Sequence, residues 1–402
     1  MNCSVCKSNL GSLLELGPGW CINSLGALLE TKGCVYSCEN CSHCETRVEL
    51  DLSQYYRSSY RTLAHSAEED DLYCTTDGAP VYRSDHMTRV FLEKMSGREF
   101  GDKEVSLLDY GCGKSLFGKR VSATNSGFKL HLYDVSDDYR DFWGDFCTTD
   151  VITTFSTSDD WRTKFDVVTS LFSLEHVPDP LAILRHVSSL LKEGGIFYIV
   201  VPNMYSENES DVLVVDHLHH YSPVSMRKML EFCGFALQDE DATSHRQASI
   251  FIAVKVADEG VCGLDIAPFP MAVDYINRQR EIAGNWDLYM RSLREFIDSS
   301  DPRRPVIVVG AGVLGSLAVA ILDRSPRIAG FIDSNIFKQR KGWLDKPVYA
   351  PGCMPNSLIE QSPLFVMALN RFLIEGVGWS LVPDKVQKQS VWLPPAFQSG
   401  TL

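Results

Sequence analysis

The residues best suited to chemistry form one short run in the middle of the chain. VVDHLHHYSP (residues 214–223) contains Asp216, His217, His219 and His220, and so holds three of the ten histidines. Histidine has an ordinary pKa near ~6.5, so it can take or give a proton near neutral pH. The run therefore predicts either a proton-transfer site or an ordinary polar loop that precedes a helix.

A fourth histidine is predicted to share this site. His176 lies at the end of the strand-like run FDVVTSLFSLEHV, and ligands of open α/β sheets bind at the carboxyl ends of strands. The alternative is that His176 caps or packs a strand–helix corner. A metal site of Asp216, His217 and His220 is less favoured, because His217 and His220 would fall on opposite faces of an extended segment.

Cysteines in CxxC spacing crowd the start of the chain and predict a structural zinc site. Cys3 and Cys6 in CSVC supply one pair. CENCSHC supplies the other as Cys38/Cys41 or Cys41/Cys44, and the strand-like TRVELDL that follows favours Cys41 and Cys44. Four thiolates at ~2.3 Å close a tetrahedral shell without a water, so this zinc would hold the fold.

A first glycine-rich turn has the features of a methyl-donor site. LLDYGCGKS places Asp109, Gly111 and Gly113 after an apolar run, and Asp134 ends the next such run. Glycines let the backbone approach a ligand closely, and an acid at the second strand end can accept both ribose hydroxyls. The pattern is typical of S-adenosylmethionine enzymes, and the alternative is a tight strand–helix turn.

A second glycine-rich turn lies near residue 310. VVGAGVLG carries Gly310, Gly312 and Gly315, and Asp333 ends the following strand-like run. The motif alone predicts a nicotinamide dinucleotide site. A contact with the nucleotide part of a substrate and a purely structural role are left open as alternatives.

Strand-like runs alternate with helical patterns along most of the chain, which predicts an α/β fold with parallel sheets. Apolar spacing predicts one helix over 84–95 and a long helix over 271–297. The linker SSDPRRP, with two prolines, separates the long helix from the second glycine turn.

Composition excludes several classes of protein. The formal net charge of −14 disfavours nucleic acid as a partner. No run approaches the ~20 apolar residues of a membrane span, so no membrane partner is expected. MNCSVCKS is not a secretory signal, and a cytoplasmic location with reduced thiols is expected.

The order of these motifs resembles one enzyme family over nearly the whole chain. CxxC pairs, LLDYGCGKS, LYDVS, LFSLEHVPDP, VDHLHHYSP and VIVVGAGVLGS follow one another as in the zinc-containing sugar C-methyltransferases, which methylate nucleotide-linked keto-deoxysugars. The resemblance implies a zinc-binding module, a class I methyltransferase Rossmann-like domain, a helical connector and a C-terminal Rossmann-like α/β domain. These are placed at 1–60, 61–256, 257–302 and 303–402.

The resemblance also implies roles for residues. His176 takes the place of the family's histidine after the fourth strand, Asp216 that of a glutamate, and His217 that of the paired histidine. A family tyrosine two residues before the glutamate falls on Val214, and another falls on His220.

An N-terminal tyrosine near the substrate corresponds to Tyr73 or Tyr82. We expect His217 to remove the proton next to a ketone, with Asp216 influencing its tautomer. His176 would steady the enolate oxygen, and one of His219 and His220 would replace the family's tyrosine donor.

The sequence therefore predicts an S-adenosylmethionine-dependent methyltransferase that acts on carbon of a nucleotide-linked sugar, with its oligomeric state open. Two other functions stay open. One is O- or N-methylation of a glycan or natural product, and the other is NAD-dependent oxidoreduction at the Gly310 turn.

Overall fold

The computed structural model describes residues 1–17, 19–51, 55, 70, 72–76, 79–98, 104–206, 209–256, 272–370, 374, 378–383, 386 and 388–395. The first strands are β1 (Leu10–Leu16), β2 (Trp20–Ile22), β3 (Leu28–Glu30), β4 (Gly33–Cys38) and β5 (Cys44–Val48). Strands β1, β4 and β5 are antiparallel neighbours, and β2 pairs with β3 in a hairpin.

The central part begins with the hairpin β6 (Leu72–Thr76) and β7 (Ala79–Tyr82). Its further elements are α1 (Arg83–Met95), β8 (Val105–Tyr110), α2 (Leu116–Thr124), β9 (Phe128–Asp134), α3 (Arg140–Trp143), β10 (Ile152–Thr154), β11 (Phe165–Leu171), α4 (Pro180–Leu190), β12 (Leu191–Pro202), β13 (His219–His220), α5 (Pro223–Phe232), β14 (Phe235–Asp241) and β15 (Ala248–Lys255).

A seven-stranded sheet forms the core of this part, in the order β10-β9-β8-β11-β12-β15-β14. Strand β15 is antiparallel to both of its neighbours, β12 and β14, and the first five strands in that order are parallel. The carboxyl ends of β8, β9, β11, β12 and β14 therefore lie at one edge. This is the edge at which a doubly wound sheet binds ligands.

Local sequence explains where the flanking helices begin. Asp179 caps α4 by accepting a hydrogen bond from the Ala182 amide, and Pro180 fills the first turn. Ser222 and Ser225 form a capping box at the start of α5. Both helices bury one apolar face against the sheet, so the strand ends between them are held in place.

The last part contains α6 (Ala272–Asp298), β16 (Val306–Val309), α7 (Val313–Ile321), β17 (Ile328–Ile332), α8 (Ile336–Lys341), β18 (Val348–Tyr349), α9 (Asn356–Ile359), β19 (Leu364–Met367) and β20 (Val391–Trp392). Its strands form a parallel sheet in the order β18-β17-β16-β19-β20. The long helix predicted over 271–297 corresponds to α6, and the helix predicted over 84–95 corresponds to α1.

Strand β13 joins the first part of the chain to the central part. His219 pairs with Glu45, and His220 pairs with Cys44, so β13 becomes the fourth strand of the N-terminal sheet. The histidine-rich run is thus held by backbone hydrogen bonds to the cysteine-rich segment. Across the described part of the chain, no helix is both long enough and apolar enough to cross a membrane.

Candidate functional site

The first glycine turn lies at the carboxyl end of β8. Gly111 has φ +73°, and a Cβ there would come within 2.8 Å of the Ser173 side chain, so only glycine fits. The Gly113 amide donates to Oδ2 of Asp134 at 2.8 Å. The strand ends of β8, β9 and β11 therefore meet at this turn.

The two predicted acidic residues have different surroundings at this turn. Asp109 accepts hydrogen bonds from Ser115 Oγ at 2.7 Å and Thr169 Oγ1 at 3.1 Å. Burial raises the pKa of Asp109 to about 6, and burial also raises the pKa of Asp134. Asp109 braces the turn, and Asp134 stands at the end of β9, where it could meet the ribose of a bound donor. The residues fit S-adenosylmethionine.

A carboxylate that the sequence did not single out organises the histidine run. Asp211 Oδ1 lies 2.8 Å from Nδ1 of His217, and Asp211 Oδ2 lies 3.1 Å from Nδ1 of His220. The partner imidazoles hold the pKa of Asp211 well below its ordinary value against the effect of burial. An ionised carboxylate only accepts, so both Nδ1 atoms must donate to it.

His176 lies against His217. The two ring centroids are 4.8 Å apart in an edge-to-face arrangement. Nδ1 of His176 lies 2.8 Å from the backbone oxygen of Asp216, which can only accept, so Nδ1 carries the proton and Nε2 carries the lone pair. Nε2 is 4.0 Å from a carboxylate oxygen of Glu175, a second acid missed in the sequence.

The two histidines differ in their readiness to hold a proton. Burial lowers the pKa of His217, but the charges of Asp211 and Glu175 outweigh it and raise the pKa to about 9. Burial lowers the pKa of His176 to about 4. Burial raises the pKa of Glu175 to about 7. Near neutral pH, His217 is therefore protonated and His176 is neutral.

Exposure separates the residues that could touch a ligand from those that could not. The side chain of His176 is 15% exposed and that of His217 is 10% exposed, whereas that of His220 is fully buried. His220 Nε2 lies 2.9 Å from the hydroxyl of Thr46. The prediction that His220 replaces a tyrosine donor to the substrate is therefore wrong in this geometry, and His220 holds Asp211 instead.

Asp216 is also placed differently from the prediction. It is buried, and its carboxylate accepts hydrogen bonds from the backbone N and the Oγ of Ser24 at 2.8 and 2.9 Å. Asp216 lies in a turn, and its carboxylate is bound to Ser24, so the acid beside His217 in sequence is not its partner. The carboxylate that fixes the tautomer of His217 is Asp211, and a metal site of Asp216, His217 and His220 is not formed.

Tyr73 lies in another group of rings. Its ring stacks on His86 at 3.8 Å between centroids, and its hydroxyl accepts from the Arg246 amide at 3.2 Å. Among the described residues, its recorded contacts are with this group and not with His176 or His217. Tyr82, the other tyrosine considered, is the exposed residue that precedes α1.

Four cysteines converge, and one of them differs from the favoured prediction. Cys3, Cys6, Cys38 and Cys41 are fully buried, and their Sγ atoms all lie within 4.8 Å of one another. The Cys3–Cys41 and Cys6–Cys38 sulfur distances are 3.7 and 3.4 Å. Tetrahedral Zn–S bonds of ~2.3 Å require sulfurs ~3.8 Å apart, so the set fits zinc.

The preference for Cys44 over Cys38 is wrong. Cys44 pairs with Ser37 across β4 and β5, and successive side chains of a strand point to opposite faces. Cys44 therefore faces away from Cys38 and packs in a different apolar cluster. The strand after Cys44, which suggested the wrong register, begins at Cys44 itself.

The second glycine turn has the shape expected of its motif. Gly310 has φ +104°, and a Cβ on Gly315 would lie 2.1 Å from the Gly310 oxygen. The Ala311 amide donates to Oδ2 of Asp333 at 2.8 Å. This turn opens α7 and gives no indication, by itself, of what it binds.

The signals for the two missed acids were weak. Asp211 lies six residues before His217, too far along an irregular segment for spacing to connect them. Glu175 is adjacent to His176 in LEH and could have been noted for that reason alone. Their importance comes from tertiary contacts.

Comparison with known proteins identifies the central part. Residues 82–240 match the model of a family described as "Methyltransferase domain". A ubiquinone biosynthesis O-methyltransferase of Marinobacter nauticus is 34% identical over 122 residues, which covers 25% of this chain and 48% of that protein. The protein of the same name from Nitrosomonas europaea is 22% identical over 204 residues, covering 47% of this chain and 78% of that protein.

Among solved structures, an S-adenosylmethionine-dependent methyltransferase from Mesorhizobium loti is 16% identical, with a TM-score of 0.33, and covers 43% of this chain and 97% of that chain. The chain spans about half the length of the first curated relatives that it matches. The family match places a methyltransferase domain at residues 82–240, and the strand order of the central sheet agrees with it. The prediction that the chain contains a methyltransferase domain is confirmed.

Proposed function

We propose that the protein transfers a methyl group from S-adenosylmethionine to the carbon beside the ketone of a nucleotide-linked keto-deoxysugar. The proposal depends on the contact between two histidines, neutral His176 and protonated His217. They lie at the edge of the central sheet that holds the carboxyl ends of its parallel strands. Ser173, which packs on Gly111, lies three residues before His176. The pair therefore adjoins the donor turn.

The proposed chemistry uses the two imidazoles in sequence. Nε2 of His176 removes the proton from the carbon next to the ketone, and the electron pair moves onto the carbonyl oxygen. The protonated imidazole of His217 donates a hydrogen bond to that oxygen. S-adenosylmethionine bound at the Asp109–Asp134 turn would supply the methyl group: the carbanion bonds to the methyl carbon as the methyl–sulfur bond breaks, S-adenosylhomocysteine is left, and the ketone is restored.

These roles exchange those expected from the sequence, in which His217 was the base. The reason is the Asp211 carboxylate, which keeps a proton on His217 at neutral pH. His176 has its Nδ1 engaged with the Asp216 carbonyl and offers the lone pair of Nε2. A base needs a nitrogen that is unprotonated at working pH, and His176, whose pKa burial lowers, meets that condition.

The four-cysteine cluster is proposed to bind one structural zinc ion. Its sulfurs are buried and spaced as tetrahedral zinc requires. No step of the methyl transfer involves it.

The test separates proton removal from methyl transfer. The protein is incubated in D2O with S-adenosylhomocysteine and dTDP-, GDP- or CDP-linked keto-deoxysugars, and NMR follows deuterium at the carbon beside the ketone. We expect exchange with wild-type protein and a loss of at least ~100-fold with His176→Ala. His186→Ala is the control, because that histidine lies on α4 and its Nε2 contacts the hydroxyl of Thr157.

With labelled S-adenosylmethionine, the label should appear on carbon. Label found only on oxygen or nitrogen contradicts the proposal. O-methylation is the second candidate, because the curated relatives are named O-methyltransferases. It predicts no deuterium exchange and requires a hydroxyl acceptor.

A further inference from the structure

A group of arginines and histidines lies beside the histidine pair and is not used in the proposed proton transfer. We call it the arginine wall and define it by Arg83, Arg246, His86, His245 and Phe172. It stands at the same sheet edge as the donor turn, because its members come from α1, from the segment after β11 and from the segment between β14 and β15.

Arg83 connects the wall to the mouth of the site. Its guanidinium lies 3.9 Å from the centroid of the Phe172 ring. Phe172 directly precedes Ser173, the residue that packs on Gly111. The charge of Arg83 also acts on Glu175, next to His176, where it partly opposes the rise that burial gives the pKa of that carboxyl. Arg83 is half-buried.

Contacts with the 242–247 segment fix the other side of the wall. His86 Nε2 lies 2.9 Å from the Ser244 oxygen, which makes Nε2 the protonated nitrogen. His86 and His245 meet edge to face at 4.6 Å, and Tyr73 stacks on His86. These rings pack together behind the arginine side chains and hold that side of the wall in place.

Arginine side chains lie close to two histidines of the wall. The charges of Arg83, Arg89 and Arg246 act on His245 and His86, and those of Glu93 and Asp241 act in the opposite sense. Burial, with the charges of His86 and Arg83, lowers the pKa of His245 to about 4, and burial, with Arg89 and Arg246, lowers the pKa of His86. Both histidines are neutral, so the arginines supply the positive potential.

We infer that the arginine wall binds the phosphate groups of the methyl acceptor, with Arg83 as the principal contact. An arginine guanidinium offers a planar fork of donors that matches phosphate oxygens, and ring stacking on Phe172 holds that fork in one orientation. Arg83 is a binding and positioning residue in this role. The inference rests on the proposed function only for the identity of the acceptor; the phosphate site itself can be tested without methyl transfer.

The test titrates inorganic pyrophosphate into the full-length protein saturated with S-adenosylhomocysteine and measures binding by calorimetry. We expect saturable binding to the wild type and a weakening of roughly tenfold or more with Arg83→Met. Arg83→Lys should lose less, because it keeps the charge but not the fork. Arg291→Met is the matched control, an exposed arginine on α6 paired with Asp287.

Two outcomes overturn the inference: no pyrophosphate binding to the wild type at millimolar concentrations, or binding to Arg83→Met as tight as to the wild type. Unchanged binding of S-adenosylhomocysteine to Arg83→Met establishes that the variant is folded. Pyrophosphate binding that depends on Arg83, in a protein that labels no carbon, leaves the arginine wall standing and removes the proposed sugar chemistry.

Discussion

The charge of one buried residue, Asp211, sets the protonation of the candidate site. It accepts hydrogen bonds from His217 and His220 and holds the proton on His217. His220, fully buried, can act only through this contact. His217, which donates to the substrate oxygen, and His220, which supports it, therefore both depend on the Asp211 carboxylate. Asp211 is thus the residue whose single substitution should change the site most.

For the wild type, kcat/KM should fall as pH rises through about 9, because His217 loses its proton above its raised pKa. The lower limit should follow His176, whose pKa is about 4. Asp211→Asn removes the charge that favours protonated His217, so the upper limb should move down by about 1–3 pH units. The measurement is a pH profile of methyl transfer, with Asp287→Asn on exposed α6 as the control. A rate that instead rises through pH 9 makes His217 the base.

The sequence was informative about residue types and less so about partners. Histidines 176 and 217 could be singled out because strand ends and unusual composition are local features. The Asp211–His217 contact could not, because an irregular segment with a short 3-10 helix brings the two together. Asp216 looked like the partner only because it is adjacent in sequence.

At the scale of helices and strands, local sequence patterns were sufficient to predict some elements around the site and not others. Apolar runs and glycine punctuation predicted most strands of the central sheet, though not β10 or β14, and the helices α1 and α6. The two-residue strand β13 is too short to carry a pattern, and its pairing with β5 depends on a partner over 170 residues away. A separate bridge between Ile22 and Val214 brings the turn of residues 23–27 to the site.

The turn of residues 23–27 is expected to position His176 through Asp216. Ser24 fixes both carboxylate oxygens of Asp216, whose backbone oxygen orients His176. Ser24→Ala should lower kcat by about tenfold and leave donor affinity unchanged, because orientation is lost while the donor turn is untouched. Ser12→Ala, on exposed β1, is the control. Equal losses in kcat and donor affinity would mean general destabilisation.

At the scale of the whole molecule, the three parts of the chain share contacts at the site. Ser24 of the first part holds Asp216 of the central part, and the Gly26 oxygen accepts from Ser316 Oγ on α7 at 2.6 Å. Trp343 Nε1 also reaches Ser316 at 3.0 Å. One turn therefore touches both glycine-turn domains, so changes in the N-terminal sheet should reach the histidine pair.

Removing the zinc ion tests two things: whether the N-terminal sheet affects the histidine pair, and which cysteines bind the metal. Cys38→Ser should reduce zinc from about one ion per chain to a small fraction, measured by mass spectrometry of the metal, because three thiolates leave the tetrahedral shell open. Cys44→Ala should keep the zinc, since Cys44 faces another cluster. Because β4 and β5 carry β13, loss of the metal should also lower kcat in Cys38→Ser. If Cys38→Ser keeps its full zinc and Cys44→Ala loses it, the second pair of zinc ligands is Cys41 and Cys44, as the sequence favoured, and not Cys38 and Cys41.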